Sequence, residues 1–188
     1  MATVIPDNQA TFSLEALARA TGGVLRLEGD VTPTGTVRGV VTDSRKVREG
    51  QLYVALRGEN HDGHAFLAQA KERGAAAALV SDVSQAPAGL SLVVVDDTRK
   101  SLGAIARAHR LAWGRPLVAI TGSAGKTTTK EITARLLSSL GHEVLRTQGN
   151  LNNEIGVPMT LLGLLPSHDV AVVEIGTSGP GEIEKLAW

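Results

Sequence analysis

The chain contains no cysteine, so disulfides, thiolate catalysis and cysteine-based zinc sites are all excluded. Aromatic residues make up only 3%, too few to build a base-stacking surface for single-stranded nucleic acid. Neither sign of charge is in excess: Lys plus Arg and Asp plus Glu number 19 each, so no basic field points to a nucleic-acid partner. No apolar run approaches the ~18 residues of a membrane span. The start, Met1-Ala2-Thr3-Val4-Ile5-Pro6-Asp7, lacks the basic-then-apolar shape of a signal peptide. These absences predict a soluble, cytoplasmic chain without membrane insertion. Its 188 residues, 43% of them hydrophobic, allow one large domain or two small ones, each with a packed core.

The most informative stretch runs from Leu117 to Glu131. Leu117-Val118-Ala119-Ile120 reads as a buried strand. Thr121-Gly122-Ser123-Ala124-Gly125 is a turn of small residues, and Lys126-Thr127-Thr128 opens a segment with helical spacing at Ile132, Leu136, Leu137 and Leu140. Strand, glycine turn and helix start can hold a nucleotide phosphate, because the small residues let backbone N–H groups curl round the anion. The helix N-terminus adds its partial positive charge. In this reading Gly122, Ser123, Ala124, Gly125, Lys126, Thr127 and Thr128 contact ATP. Lys126 reaches the outer phosphates as the catalytic charge, and the Thr127 hydroxyl ligates Mg²⁺. The general phosphate-loop pattern has an additional glycine where this chain has Ile120. A plain β-to-α turn with a solvated lysine is the alternative, and the flanking strand and helix weigh against it.

Asp169-Val170-Ala171-Val172-Val173-Glu174 has the pattern of a buried parallel strand ending in an acid. A carboxylate at such a strand tip, beside a phosphate loop, is placed to share the Mg²⁺ with Thr127. An ordinary strand-end charge is the other reading of Glu174.

The residues before the loop form a small α/β pattern of their own. Residues 1–11 read as a loose lead-in. Ser13 caps a short helix that Gly22-Gly23 ends, and strands are expected at 24–27, 37–41, 51–56, 75–80 and 91–95. Phe66, Leu67, Ala70 and Lys71 suit a helix closed by Gly74. Asp97 caps a helix over 101–113, which Arg115-Pro116 breaks. The domain boundary therefore falls near residue 97. Beyond the loop helix, 143–145 reads as a short strand, and a polar loop from Asn150 to Pro158 turns into the apolar stretch 159–165.

Several ordered motifs together resemble the Mur ligase family. They are Thr121-Gly-Ser-Ala-Gly-Lys-Thr-Thr-Thr-Lys-Glu, Asn150-Leu-Asn-Asn-Glu-Ile-Gly-Val-Pro, and Glu174-Ile-Gly-Thr followed by Pro180-Gly-Glu-Ile. The N-terminal part agrees through Asp43-Ser-Arg-Lys-Val, Gly50-Gln-Leu-Tyr-Val-Ala-Leu-Arg-Gly, Asp62-Gly-His and Arg73-Gly-Ala-Ala-Ala-Ala-Leu-Val. The Asn150 and Pro180 motifs resemble the dipeptide-adding branch, whereas the N-terminal block is shared with the amino-acid-adding sister ligases.

The resemblance implies an α/β fold with a small UDP-substrate domain over residues 1–97. The first half of a parallel-sheet ATP-binding domain follows over 98–188, and the remainder of that domain and a C-terminal domain are absent. It implies an ATP- and Mg²⁺-dependent amide ligase of peptidoglycan precursor synthesis, a monomer at full length. Such a ligase joins D-Ala-D-Ala to UDP-MurNAc-tripeptide through an acyl phosphate. By position Ser44, Arg45, Lys46, Arg57, Gly58, Asp62 and His64 would contact the uridine nucleotide. Asn152, Asn153 and Glu154 would lie beside the phosphates.

Family members commonly carry a metal-assisting His where this chain has Ser178-Gly179, so no His is assigned to the metal. His61, His64, His109, His142 and His168 are expected at the surface, although His64 also stands among the uridine-side positions. As a piece of such a ligase the chain is expected to bind but not to catalyse, and a parallel sheet cut after Glu174 to leave an aggregation-prone apolar edge. Three other readings stay open: an amino-acid-adding ligase or a related folyl- or cyanophycin-forming one, a non-catalytic UDP-sugar-binding module, and a simple P-loop NTPase or kinase.

Overall fold

A computed structural model describes residues 5–58, 61–177, 179, 181 and 183. Ser178 and most of the helix expected from Pro180 lie outside the described residues. The chain divides into two compact units, one over Gln9–Ile105 and one made of the residues before Gln9 together with those from Ala106 onward.

The first unit begins with β1 (Thr11–Ser13) and α1 (Leu14–Thr21). Ser13 caps α1, its side chain accepting from the Ala16 amide, and Gly22 closes it in the left-handed conformation at φ 66°. β2 (Val24–Arg26), β3 (Thr36–Arg38), β4 (Val40–Val41) and β5 (Leu52–Val54) follow. A 3-10 turn (Ser44–Lys46) lies between β4 and β5, and a second (Gly63–Phe66) leads into α2 (Leu67–Glu72), then β6 (Ala77–Val80) and β7 (Ser91–Val94). The strands form a five-stranded sheet in the order β2-β7-β6-β5-β4. β4, β5, β6 and β7 run parallel and β2 lies antiparallel on the edge. Tyr53, Leu67, Ala78, Val80 and Leu90 pack the core on one face.

The strand expected over 37–41 is two strands. Thr36–Arg38 pairs antiparallel with β1, whereas Val40–Val41 pairs parallel with β5. Gly39, at φ 92°, turns the chain between the two sheets. Val37 and Val40 are both buried, although a separation of three would put them on opposite faces of one continuous strand. Of β1, Thr11 falls in the expected lead-in and Ser13 at the expected cap; the strand itself has no local signal because its partner lies 25 residues away along the chain.

α3 (Thr98–Trp113) begins three residues earlier than its apolar spacing suggests. Asp97 caps it as expected, its Oδ1 accepting the Arg99 and Lys100 amides at 2.8 and 3.0 Å.

The second unit carries β8 (Leu117–Ile120), α4 (Lys126–Ser139), β9 (Val144–Arg146), α5 (Gly156–Leu162) and β10 (Val170–Glu174). Its sheet is parallel, in the order β8-β10-β9. The central strand β10 is buried at all five positions, as a strand covered on both faces should be. Val157, Leu164, Ala171, Val173 and Ile175 form the core here, with Trp113 and Leu145 against it. The edge strand β8 is half exposed.

α4 is a helix, as its spacing predicts, but its apolar stripe does not face the sheet. Ile132, Leu136 and Leu140 are 60–67% exposed, while Lys130 and Ala134 are buried. The glycine turn fixes the reason: it delivers Thr127 toward Glu174, and positions three and seven residues on, Lys130 and Ala134, share that face. No helix among the described residues is long and apolar enough to cross a membrane.

Candidate functional site

The sequence expectations converge at the carboxyl end of β8 and β10. Between β8 and α4 the chain passes through Gly122 at φ 150° and Gly125 at φ 76°, conformations that glycine alone adopts without strain. No side chain caps α4. Its first i−4 hydrogen bond is donated by Thr129 to the Gly125 carbonyl at 2.9 Å, so the amides of Lys126, Thr127 and Thr128 precede the helical ladder. Those groups and the aligned peptide dipoles make the turn a receptor for an anion. Ser123 and Ala124 are exposed at its rim. The Lys126 ammonium donates to the Gly122 carbonyl at 2.6 Å, which keeps it over the turn.

Glu174 ends β10 with its side chain 3% exposed. Its Oε2 accepts the Thr127 hydroxyl at 3.0 Å and its Oε1 accepts the Asn152 amide at 2.8 Å. The structure thus brings two of the expected residues, Thr127 and Asn152, onto the carboxylate of a third. Two cis ligands of an octahedral Mg²⁺ stand about 2.9 Å apart, given metal–oxygen distances of 2.0–2.1 Å. The Thr127 and Glu174 oxygens already have that spacing, and both are hard donors of the kind Mg²⁺ takes. Among the described residues no group of three or more His, Cys, Asp or Glu side chains is placed to hold a metal. One carboxylate and one hydroxyl suit an ion that completes its shell with phosphate and water.

Asn152 also fixes the chain beyond Glu174, its carbonyl accepting the Gly176 amide at 2.8 Å. A Cβ on Gly176 would stand 2.9 Å from the Asn152 side chain, which explains the glycine of the Glu-Ile-Gly run. Asn153 does different work. Its Oδ1 accepts the Ile155 and Gly156 amides at 3.1 and 2.7 Å, starting α5. Glu154 is half-buried beside that turn.

Two residues absent from the expectations complete the cluster. Lys130, buried under α4, donates to the Thr147 carbonyl at 2.9 Å and stands 3.8 Å from Glu174. The Thr147 hydroxyl accepts the Glu174 amide at 2.9 Å. Helical spacing was the available signal for Lys130, since it lies three residues beyond Thr127. Thr147 carries none. Lys130 also donates to Glu131, and this bond, with Arg146 nearby, holds the Glu131 carboxyl below its usual range.

The uridine-side positions gather at the carboxyl ends of the parallel strands of the first unit. Ser44, Arg45 and Lys46 follow β4, and Arg57 and Gly58 follow β5; Ser81 and Asp82, which were not among the expected contacts, follow β6 at the same edge. Ligands of open α/β sheets bind at this edge. Arg45 and Arg57 are exposed there, Arg45 chelated by Asp43 at 2.9 Å and Arg57 bonded to Asp62 at 2.9 Å. The guanidinium of Arg45 holds the Asp43 carboxyl below the usual range. Lys46 is exposed, and the Gly58 amide donates to the His61 carbonyl.

Two of the expected contacts are buried structural groups. Ser44 donates to Gln69 at 2.6 Å and is only 7% exposed. His64 is 1% exposed, which corrects the surface placement expected for it. Its Nε2 accepts the Ser81 amide at 2.9 Å and its Nδ1 meets Asp62 Oδ1 at 2.6 Å. The ring is therefore the Nδ1–H tautomer, latching the loop to the end of β6. Asp62 caps the turn through the His64 amide. The His64 amide and ring, with Arg57, pull the Asp62 carboxyl down to about 2. Between them Gly63 approaches the Leu56 backbone so closely that a Cβ would stand 2.8 Å from it. Asp62-Gly63-His64 is thus first a folding knot, and a pattern search cannot separate that from a ligand loop.

A glycine turn at an uncapped helix, with a buried acid at the tip of the neighbouring parallel strand, marks an α/β protein whose turn has the geometry that suits a phosphate. Comparison with known proteins agrees. Residues 36–110 match the family model described as Mur ligase family, catalytic domain, and 120–188 match the Mur ligase middle domain. The UDP-N-acetylmuramoyl-tripeptide--D-alanyl-D-alanine ligase of Escherichia coli K12 is 49% identical over 155 residues, 81% of this chain and 32% of that one. The crystal structure of MurF from Acinetobacter baumannii superposes with a TM-score of 0.86 at 38% identity, over 96% of this chain and 39% of that one. MurF ligase from Thermotoga maritima, in complex with ADP, gives 0.72 at 34% identity over 79% and 34%. The chain belongs to the Mur ligase family. It spans about a third of the length of the curated relative it matches.

Proposed function

We propose that these residues form the substrate- and nucleotide-binding part of an ATP-dependent ligase that joins D-Ala-D-Ala to UDP-MurNAc-tripeptide, in the cytoplasm. Residues 1–97 would take the uridine nucleotide and 98–188 the ATP phosphates, with the rest of the central domain and a closing domain supplied by further chain. The carrying observation is the meeting of Thr127 and Asn152 on the buried Glu174, beside the uncapped start of α4.

A carboxylate is a poor electrophile, so it must first become a mixed anhydride. The tripeptide carboxylate oxygen bonds to the γ-phosphorus of ATP and ADP leaves. The dipeptide amine then attacks the acyl carbon, loses a proton and expels phosphate. The loop amides and Lys126 neutralise and align the phosphates through both steps. Thr127 and Glu174 would hold Mg²⁺, which when bound withdraws charge from the phosphate oxygens. Asn152 keeps the Glu174 carboxylate turned toward Thr127. The exposed Arg45, Lys46 and Arg57 supply positive charge for a diphosphate at the sheet edge.

The test is an amide-ligation assay with ATP, Mg²⁺, UDP-MurNAc-tripeptide and D-Ala-D-Ala, run on the 188-residue chain and on the complete reading frame that carries it. Product from the longer chain and binding alone by the short one is expected. Product from UDP-N-acetylmuramoyl-L-alanyl-D-glutamate and a diamino acid, in place of the tripeptide and D-Ala-D-Ala, would assign the chain to the amino-acid-adding sister ligases instead. Phosphate release needing no acceptor would make it a simple NTPase.

A further inference from the structure

Four charged side chains project from α4, at Lys126, Lys130, Glu131 and Arg135, and only Lys130 is buried, at 1% exposure. A lysine is seldom enclosed this far unless its ammonium is paired. Here Nζ donates to the Thr147 carbonyl at 2.9 Å, lies 3.1 Å from Glu131 Oε1 and 3.8 Å from Glu174 Oε2. Thr147 is itself held at three points. Its carbonyl takes Lys130, its hydroxyl accepts the Glu174 amide at 2.9 Å, and its own amide donates to the Val172 carbonyl at 3.1 Å. A closed ring therefore runs from α4 through Lys130 and Thr147 to the end of β10, and back through Thr127.

The spacing within the ring separates two jobs. Both Glu174 oxygens are taken by neutral donors, Thr127 and Asn152. At 3.8 Å Lys130 is beyond hydrogen-bond reach of Oε2. It stands where a counter-charge for the enclosed carboxylate is needed, yet is not itself bonded to the oxygen that faces Thr127. A lysine bonded directly to that oxygen would compete with a metal for it.

We propose that Lys130 is a positioning residue for the metal-holding pair. Its contact with Thr147 fixes the first turn of α4 against β10, and its charge stands behind Glu174, so that the Thr127 and Glu174 oxygens keep the separation a divalent ion spans. This rests on the reading of the loop as a Mg²⁺-nucleotide site.

The test compares Lys130→Met, which keeps the stem and loses both charge and donor, with Lys130→Gln, which keeps a donor. Each is made in the complete reading frame. Three quantities are read: the Mg²⁺ concentration that half-saturates ADP binding, hydrogen exchange of the Glu174 amide in EDTA, and the thermal midpoint. Lys130→Met is expected to raise the Mg²⁺ requirement at least tenfold and to speed Glu174 exchange at least tenfold. ADP affinity without Mg²⁺ should change less than threefold. Lys130→Gln should recover most of the exchange protection but not the Mg²⁺ requirement. A lowered midpoint with an unchanged Mg²⁺ requirement makes Lys130 a core residue only and overturns the proposal, as does failure of both variants to fold. Lys126→Ala is the control. If it abolishes ADP binding while the Lys130 variants keep the wild-type Mg²⁺ requirement, the loop reading stands and this inference alone falls. Wild-type protein that binds no ADP at any Mg²⁺ concentration overturns both.

Discussion

Thr127 and Glu174, 47 positions apart in sequence, meet through a 3.0 Å hydrogen bond from the threonine hydroxyl to the carboxylate Oε2. Glu174→Gln keeps the size and the acceptor oxygen but removes the charge that a hard cation requires. Isothermal titration with ADP should show the affinity gain from Mg²⁺ reduced at least tenfold, with Mg²⁺-free binding within about twofold of wild type. An undiminished Mg²⁺ effect would remove Glu174 from the metal site.

Gly176→Ala tests the packing behind that carboxylate. The added methyl would meet the Asn152 side chain at 2.9 Å, and relief requires Asn152 to leave Glu174. Overpacking of this kind costs about 1–3 kcal/mol. Urea unfolding followed in the second unit should show a loss in that range. A midpoint equal to wild type would mean that Asn152 is free to move.

Acid sensitivity of the first unit should be traceable to Asp62. Its carboxyl titrates at about 2 in the folded protein, against about 3.9 in an unfolded chain. Between those values the unfolded chain binds more protons, so stability rises with pH through that window. The contribution is present above about pH 4 and is lost as pH falls toward 2. Asp62→Asn, which still offers an oxygen to the His64 amide, should flatten the stability–pH curve between pH 2 and 4. An unaltered curve would show that other carboxyls set the acid limit.

The exposed stripe of α4 makes a further expectation measurable. Ile132 and Leu136 are 62% and 60% exposed, so exchanging both for Glu and Lys removes no core contact. Light scattering of the 188-residue chain should show a later onset of aggregation, with the unfolding free energy moved by less than about 0.5 kcal/mol. A large drop in the midpoint would mean that the stripe packs against protein.

Local chemistry was legible in the sequence. Ser13, Asp97 and the glycines at 22, 74 and 125 announce helix ends, because caps and left-handed turns depend on single residue types. The glycine loop and the acid-terminated strand were readable for the same reason. What stayed hidden depends on distant partners. The break at Gly39 separates two strands only because each pairs with a different sheet. The orientation of α4 follows from the loop before it, not from its apolar spacing. Lys130 and Thr147 gain their roles from Glu174, 44 and 27 positions further on. Histidine 64 misleads by type: imidazole signals chemistry, yet here both nitrogens are spent on holding a loop.

The strand order of the second unit has a consequence for synthesis. β10 is the last of its three strands to be made, yet it is the only one that pairs with the other two. While a ribosome is still translating residues before Val170, neither β8 nor β9 has a neighbour to zip against. The first unit, whose parallel strands follow one another from β4 to β7 in sequence order, can complete its ladder about 80 residues earlier in translation. The glycine turn thus leaves the ribosome as unsupported chain, and one five-residue segment both closes the sheet and delivers Glu174 to Thr127.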